Sequence, residues 1–364
     1  MLKILLVIPS LEYSGAAKQL TLLATHLPRD RFEPVVCVLG TAGPWLEKLQ
    51  KAGVACEVLG WTRLIDPRAF LRLRQLIQRR QPTAIHAWTW PALRASWPAL
   101  GGMKIAVLAS GCLGIEEQPF LAGVFRRWML GRVAKVIAST AAEAARFRMI
   151  GISQGNLVTI PPAVEMNTGP PQEATSVRQQ LGLQRNARLI GCIGPLTMAK
   201  GGREAIWALD ILHYLYDDLH LVLIGEGPDR GRLERFARVT EATRRVHFVG
   251  PQKDVAPLLS QLDLVWIPSL RDVGTNVLLE TMAAGKPFVA SRWPGLSEFV
   301  PKDAQECLVN PGDKADLARR AHRLLGDPER CNRLGDMGQR HVRDCFSVTA
   351  LSKSFADAYA SVGR

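Results

Sequence analysis

No apolar stretch in the 364 residues approaches the roughly eighteen needed to cross a bilayer, so no membrane-spanning helix is expected. Cysteine is sparse: Cys37, Cys56, Cys112, Cys192, Cys307, Cys331 and Cys345 are scattered, odd in number and never spaced C-x-x-C. That excludes a disulfide framework or a thiolate zinc site and leaves reduced, mostly buried thiols. No Ser/His/Asp set and no metal-ligand cluster stands out. Basic residues are plentiful, but no aromatic-interleaved recognition motif accompanies them, so nucleic acid is not an expected partner. The first apolar run, in MLKILLVIPSLEYSG, is short and no small-residue cleavage site follows it. No signal peptide is therefore expected, and the expected location is cytoplasmic.

What is present is ordinary globular material, with 47% hydrophobic and 22% charged residues. At this length two cores are the natural expectation. The net charge of +13 is unevenly placed: residues 1–165 carry 20 Lys and Arg against 10 Asp and Glu, and the remainder 26 against 23. An acidic partner of the first half, such as an anionic membrane or a phosphorylated substrate, would fit this asymmetry, as would a surplus kept for solubility.

Short apolar runs alternate with amphipathic stretches. KILLVIP (3–9), PVVCVL (34–39), AIHAW (84–88), KIAVLAS (104–110), KVIAS (135–139) and LVTIP (157–161) read as buried parallel strands. Helical patterns lie between them, among them PRAFLRLRQLIQRRQ with Pro67 at its first position. The rhythm breaks at PPAVEMNTGPPQEATS (161–176) and restarts with RLIGCIG, LHLVLIG, VHFVG, LVWIPS and PFVAS, between residues 188 and 291. This predicts an α/β protein of two doubly wound, Rossmann-like domains facing a cleft: 1–165, a linker over 166–185, 186–345, and a closing helix over 346–364.

Two segments carry most of the chemistry. PSLRDVGTNVLLETMAAGKPFVAS (268–291) places Asp272 just after a strand and Glu280 eight residues later, inside the next helix. Two such carboxylates can accept hydrogen bonds from the hydroxyls of a sugar or ribose. GPLTMAKGGREAIWAL (194–209) follows a strand and opens a helix, so Lys200 and the amides around Gly201 and Gly202 can meet a diphosphate.

At this point the chain resembles the family-four retaining glycosyltransferases of the GT-B fold, over nearly its whole length. The acidic segment is similar to that family's signature of two glutamates with seven residues between them; here the first is an aspartate. The resemblance implies contact with the donor sugar for Asp272 and ribose binding for Glu280. Gly274, Thr275, Asn276 and Val277 between them count with the donor site. LHLVLIGEGPDRGRLERFA resembles the family's strand–Gly-x-Gly–helix segment, with Gly225 and Gly227. VHFVGPQKDVAPLLSQLDLVWIPS, which includes Gly250, is similar to the stretch that holds the nucleotide base. Lys200 matches a lysine that neutralises the leaving diphosphate. Pro195 stands after Gly194 where the family has an arginine, and Arg203 and Arg271 are the nearest cations that could replace it.

In the first half, Ser14–Gly15 resembles the glycine-rich loop after the first strand, with Gly15 expected to let backbone approach a phosphate. His86 matches a family histidine on the acceptor side, while a buried structural histidine reads equally well. Ser110 occupies the place of another histidine, near the reacting sugar, and is carried as a candidate catalytic position with Lys200, Asp272 and Glu280. FLAGVFRRWMLGRVAK (120–135) joins apolar, aromatic and arginine residues at helical spacing. It reads as the core face of a helix, or as a surface that meets an anionic membrane or acceptor through Arg126 and Arg127, with Phe120, Phe125, Trp128 and Met129 as apolar contacts.

The resemblance implies hexosyl transfer from a nucleotide-diphosphate sugar to a hydroxyl acceptor, such as a lipid-linked or envelope glycan at the inner face of the membrane. It implies no metal and no cofactor. The alternative is a weakened relative that binds nucleotide sugar or glycan without turnover.

Overall fold

The computed structural model describes residues 1–61, 67–112, 120–166, 176–271 and 274–363. It divides the chain into two compact units, residues 1–163 with 348–364, and residues 164–347. Among the described residues the first holds seven strands: β1 (Leu2–Ile8), β2 (Phe32–Val38), β3 (Ala55–Val58), β4 (Ala84–Trp88), β5 (Ala106–Ser110), β6 (Lys135–Ala138) and β7 (Leu157–Thr159). The second holds six: β8 (Arg188–Ile193), β9 (Leu219–Ile224), β10 (Val246–Gly250), β11 (Leu264–Ile267), β12 (Phe288–Ser291) and β13 (Leu308–Val309).

The strand orders are β3-β2-β1-β4-β5-β6-β7 and β10-β9-β8-β11-β12-β13, and every pairing between named strands is parallel. Each sheet therefore runs outward on one side of its first strand and then returns to the other side, as a doubly wound sheet does. Central strands are apolar on both faces because helices cover both. β1 is buried from Ile4 to Ile8, and its side chains supply two separate cores, Leu5 and Val7 on one face and Ile4, Leu6 and Ile8 on the other. In the second unit Trp266 and Phe288 anchor one continuous core. No cysteine is disulfide-bonded, and Cys37, Cys112, Cys192 and Cys307 are buried.

Two boundaries differ from the expected ones. The units part at Ala163 and Val164, and the latter half of the expected linker is packed into the second unit. Val177 is buried there, and Arg178 donates to the Ala187 and Gln261 carbonyls at 2.7 and 2.8 Å and to the Asp263 carboxylate at 2.7 Å. Residues 167–175 of that linker lie outside the described residues. The helix Val348–Val362 belongs to the first unit: Phe355 and Tyr359 are buried in its core, and the Ser352 hydroxyl donates to the His26 carbonyl at 2.8 Å.

Candidate active site

The second unit changes winding direction between β8 and β11, and its loops after β8, β9 and β11 are laced together at that point. Gly194, at φ +139°, donates its amide to the Ile224 carbonyl at 2.9 Å. Leu196 donates to Glu226 and accepts from Asp229, both at 3.0 Å, while the Met198 amide donates to the Asp229 carboxylate at 2.7 Å. A Cβ on Gly225 would overlap the Gly194 carbonyl, and one on Gly227 would overlap the Leu196 backbone. These two glycines thus let the loop after β9 lie flush on the loop after β8. Gly250, at φ +72°, follows a register shift in β10 and bridges to Gly225 at the same edge.

Lys200 ends a short 3-10 turn, and Gly201, at φ +71°, caps the helix Gly202–Leu212 without a side-chain hydrogen bond. A Cβ on Gly201 would overlap the Pro268 carbonyl. The Leu270 and Arg271 amides both donate to the Ala199 carbonyl, at 2.8 and 3.4 Å. The Lys200 turn is therefore clasped by the loop after β11. The Lys200 stem lies over Gly194, its Cε 3.6 Å from where a Cβ there would stand. Burial pushes the nearby Cys192 thiol up to about 12, and the Lys200 ammonium opposes that push.

The helix Thr275–Ala283 likewise starts from a left-handed glycine, Gly274 at φ +68°, with no side-chain cap. Leu278, Leu279 and Met282 face the core, and Val277 packs at its edge. Asn276 and Glu280, four residues apart and so on one face, are half-buried. The Trp293 indole donates to the Ser269 carbonyl at 2.9 Å, tying in the loop after β12. Asp272 lies outside the described residues. The edge thus gathers one lysine, two helix starts with amides not engaged by capping side chains, and an Asn–Glu face. Positive dipole ends and an ammonium suit a diphosphate, and the Asn–Glu face suits vicinal hydroxyls.

The two cations considered as substitutes for an arginine at Pro195 separate here. Arg203 lies with its guanidinium 4.9 Å from the centroid of the Phe236 ring and 5.9 Å from that of Trp207, on the exposed side of its helix. It is turned to those rings. Arg271 is exposed and its backbone is bonded to the Lys200 turn. Asp229, which sequence reading passed over, holds the Met198 amide; its only signal was its place two residues after Gly227.

In the first unit, Ser14 caps the helix Gly15–His26, its Oγ accepting from the Ala17 amide at 3.2 Å. Gly15 is exposed but outside the left-handed region, so its conformation is one any residue adopts. His86 is fully buried. The Trp88 indole, which can only donate, lies 3.1 Å from His86 Nδ1, so Nδ1 is the accepting nitrogen. The Tyr359 hydroxyl also reaches Nδ1, at 2.7 Å, and Nε2–H donates to Ser110 Oγ at 2.7 Å. Burial pulls the His86 pKa down to about 3, which keeps the ring neutral. Both ring nitrogens of His86 are thus engaged inside this unit, and Ser110 is itself buried at the end of β5. Beside it Thr89 holds φ +84°, donates its amide to the Ser110 carbonyl at 2.7 Å, and keeps a buried hydroxyl without a partner among the described residues. A β-branched residue in that region is strained, and nothing in its residue type announced it.

The amphipathic segment also sorts itself. Met129 and Arg126 are buried, the latter 4.9 Å from the Trp90 ring centroid, and burial lowers the pKa of its guanidinium. Neither is the exposed contact expected of it, because both turn to the core. Arg127 is exposed beside Gly151. Val124, Phe125 and Trp128 are 51%, 48% and 45% exposed, and Arg132 lies 4.0 Å from the Trp128 ring centroid. The side chain of Phe120 lies outside the described residues.

The family model described as Glycosyl transferases group 1 matches residues 187–327, and Glycosyltransferase Family 4 matches residues 13–168. The chain belongs to the group 1 glycosyltransferases of GT-B type. This glycosyltransferase is 26% identical to the lipopolysaccharide core biosynthesis glycosyltransferase LpsD of Rhizobium meliloti, over 86% of each chain. It is 29% identical to the 2-deoxystreptamine glucosyltransferase of Streptomyces kanamyceticus, over 58% of this chain and 56% of that one. Among solved structures, Anabaena HepE in complex with UDP-glucose superimposes with a TM-score of 0.88 at 22% identity, covering 99% of this chain and all of that one. Among its described residues, this glycosyltransferase has no helix long and apolar enough to cross a membrane, and no group of three or more His, Cys, Asp or Glu placed to hold a metal ion.

Proposed function

We propose that this glycosyltransferase moves a hexosyl group, with retention, from a nucleotide-diphosphate sugar to a hydroxyl of a lipid-linked or envelope glycan. The observation that carries the reading is the meeting of Lys200 with two glycine-started helices at the switch point of the second sheet. As the bond from sugar to diphosphate breaks, its electron pair passes to the leaving oxygen. Lys200 and the helix starts supply positive charge there, the task a metal performs elsewhere. Glu280, with Asn276, holds the ribose, and Asp272 contacts the donor sugar. The HepE complex places UDP-glucose first in a donor panel, beside GDP- and ADP-sugars, read by thermal shift.

Glu280→Ala is expected to weaken binding of the best nucleotide diphosphate by about 1–3 kcal/mol, the cost of leaving the ribose hydroxyls unpaired. Calorimetric titration showing unchanged affinity would remove the helix Thr275–Ala283 from the donor site. A second reading, binding without turnover, draws on Pro195, which has no amide to donate. Donor hydrolysis or transfer at any measurable rate excludes it.

The exposed Val124, Phe125 and Trp128, flanked by Arg127 and Arg132, support contact with an anionic membrane at its inner face. Replacing Arg127 and Arg132 by Gln should weaken sedimentation with anionic vesicles by about 1 kcal/mol per residue. Equal partition of the unaltered protein onto neutral and anionic vesicles at low salt would refute membrane contact.

A further inference from the structure

The first sheet also changes winding direction, between β1 and β4, and a pocket of about 250 Å³ opens near that point. It is lined by Pro9, Leu39, Gly40, Trp61, Pro91, Arg94 and Ala95. Its floor is made by backbone continuing past the strand ends: Gly40 donates to the Pro9 carbonyl at 2.8 Å, and Trp61 to the Leu39 carbonyl at 2.6 Å. A Cβ on Gly40 would come within 3.1 Å of the Pro9 carbonyl oxygen and 3.3 Å of that of Trp61, so the floor admits glycine alone without adjustment. One wall is the first turns of the helix Trp90–Leu100, where Pro91, Arg94 and Ala95 share a face.

Three features of this pocket specify a ligand. Arg94 is exposed, and its guanidinium has no hydrogen bond, ion pair or ring contact among the described residues. Trp61 is half-buried and stacks on no other ring among them. Among the described residues no carboxylate lines it, and the surrounding half of the chain carries twice as many basic as acidic residues. A volume of about 250 Å³ corresponds to roughly eight waters, the room a single six-membered sugar ring with one substituent occupies. An indole offers a flat apolar face to the C–H face of such a ring. A planar guanidinium is the group best matched to carboxylate or phosphate oxygens.

We propose that this pocket binds an anionic sugar unit of the acceptor, a uronic acid or a phosphorylated hexose, with Arg94 on its charge and Trp61 under its ring. The inference rests on the reading of the chain as a glycosyltransferase whose donor site lies in the second unit. It adds what that reading leaves open, the charge of the acceptor.

The test titrates the full chain with glucuronate, glucose 6-phosphate, glucose and inorganic phosphate, and separately with UDP, all by calorimetry. At least one of the two anionic sugars should bind tenfold or more tighter than glucose, and which one identifies the anion. Arg94→Gln should erase that preference, Trp61→Ala should weaken the sugar severalfold, and neither should change UDP affinity. Equal binding of glucose, a silent Arg94→Gln, or no binding of any sugar overturns the proposal. Phosphate matching glucose 6-phosphate with Trp61→Ala silent overturns it too, since the site would then hold a bare anion. If the anionic sugar binds as described while no nucleotide binds at all, the donor reading fails and the pocket stands.

Discussion

Lys200→Ala is expected to lower kcat with the best donor by about a hundred- to a thousandfold, the usual loss when one preorganised charge is removed from a developing anion. KM should change far less, because the leaving diphosphate gains charge only as the glycosidic bond breaks. The clasp around Lys200 makes this a sharp expectation: its turn is bonded to the loop after β11 through Ala199, and its stem rests on Gly194. Arg271→Ala should cost about tenfold or more, since the backbone bond to Ala199 sets the Arg271 side chain beside the Lys200 turn. Arg203→Ala should be nearly silent in turnover, because that guanidinium rests on the Phe236 and Trp207 rings. Pro195→Arg should raise the rate by restoring a donor beside Gly194. A Lys200→Ala enzyme as fast as the unaltered one would remove this turn from catalysis. Equal losses from Arg203→Ala and Arg271→Ala would show that the assignment by geometry is wrong.

Gly201→Ala should be the most damaging small substitution at the site. A Cβ there meets the Pro268 carbonyl and also forces a side chain into φ +71°. The conformational part alone costs about 1 kcal/mol, and parting the two loops brings the total to about 3–5 kcal/mol. For a unit of this size that corresponds to a fall in melting temperature of roughly 6–20 °C. Gly182→Ala is the matched control, at φ +66° with nothing within 4 Å of the added carbon. It should show the conformational cost alone. If calorimetry gives both variants the same shift, the close approach of Gly201 to Pro268 contributes nothing. The UDP affinity of Gly201→Ala should fall with its stability, and that of Gly182→Ala should not.

The strands that the sequence displayed most clearly are those buried on both faces, because covering helices leave no polar alternation. β4, read as AIHAW, falls on the expected residues, and β9, read within LHLVLIG, on all but the last of them. β3 and β13 escaped notice: ACEV is at most half-buried at a sheet edge, and Leu308–Val309 is two residues long. Around the candidate site, glycines were legible because backbone crowding leaves few other residues possible. Their reason was not, since Gly225 and Gly227 serve the packing of one loop on another. Arg126 misled because helical spacing does not tell which side of a basic stripe faces the Trp90 ring. Trp61 and Arg94 stand 33 positions apart and meet only because β3 and β4 lie on opposite sides of β1.

Tyr359 has a consequence for how the molecule comes into being. Its hydroxyl reaches the ring of His86, yet 273 positions separate the two, and the whole of residues 164–347 is made between them. During synthesis the chain emerges in order, so the first seven strands leave the ribosome long before the helix that finishes their core. Until then the faces of Phe32 and Trp88 that later meet Tyr359 and Phe355 stay open. The later-made unit, continuous in the chain, can close first, and the earlier-made one must wait for the last helix. The newborn protein thus spends its growth with its older half unfinished, and that interval is when a chaperone has an apolar surface to hold.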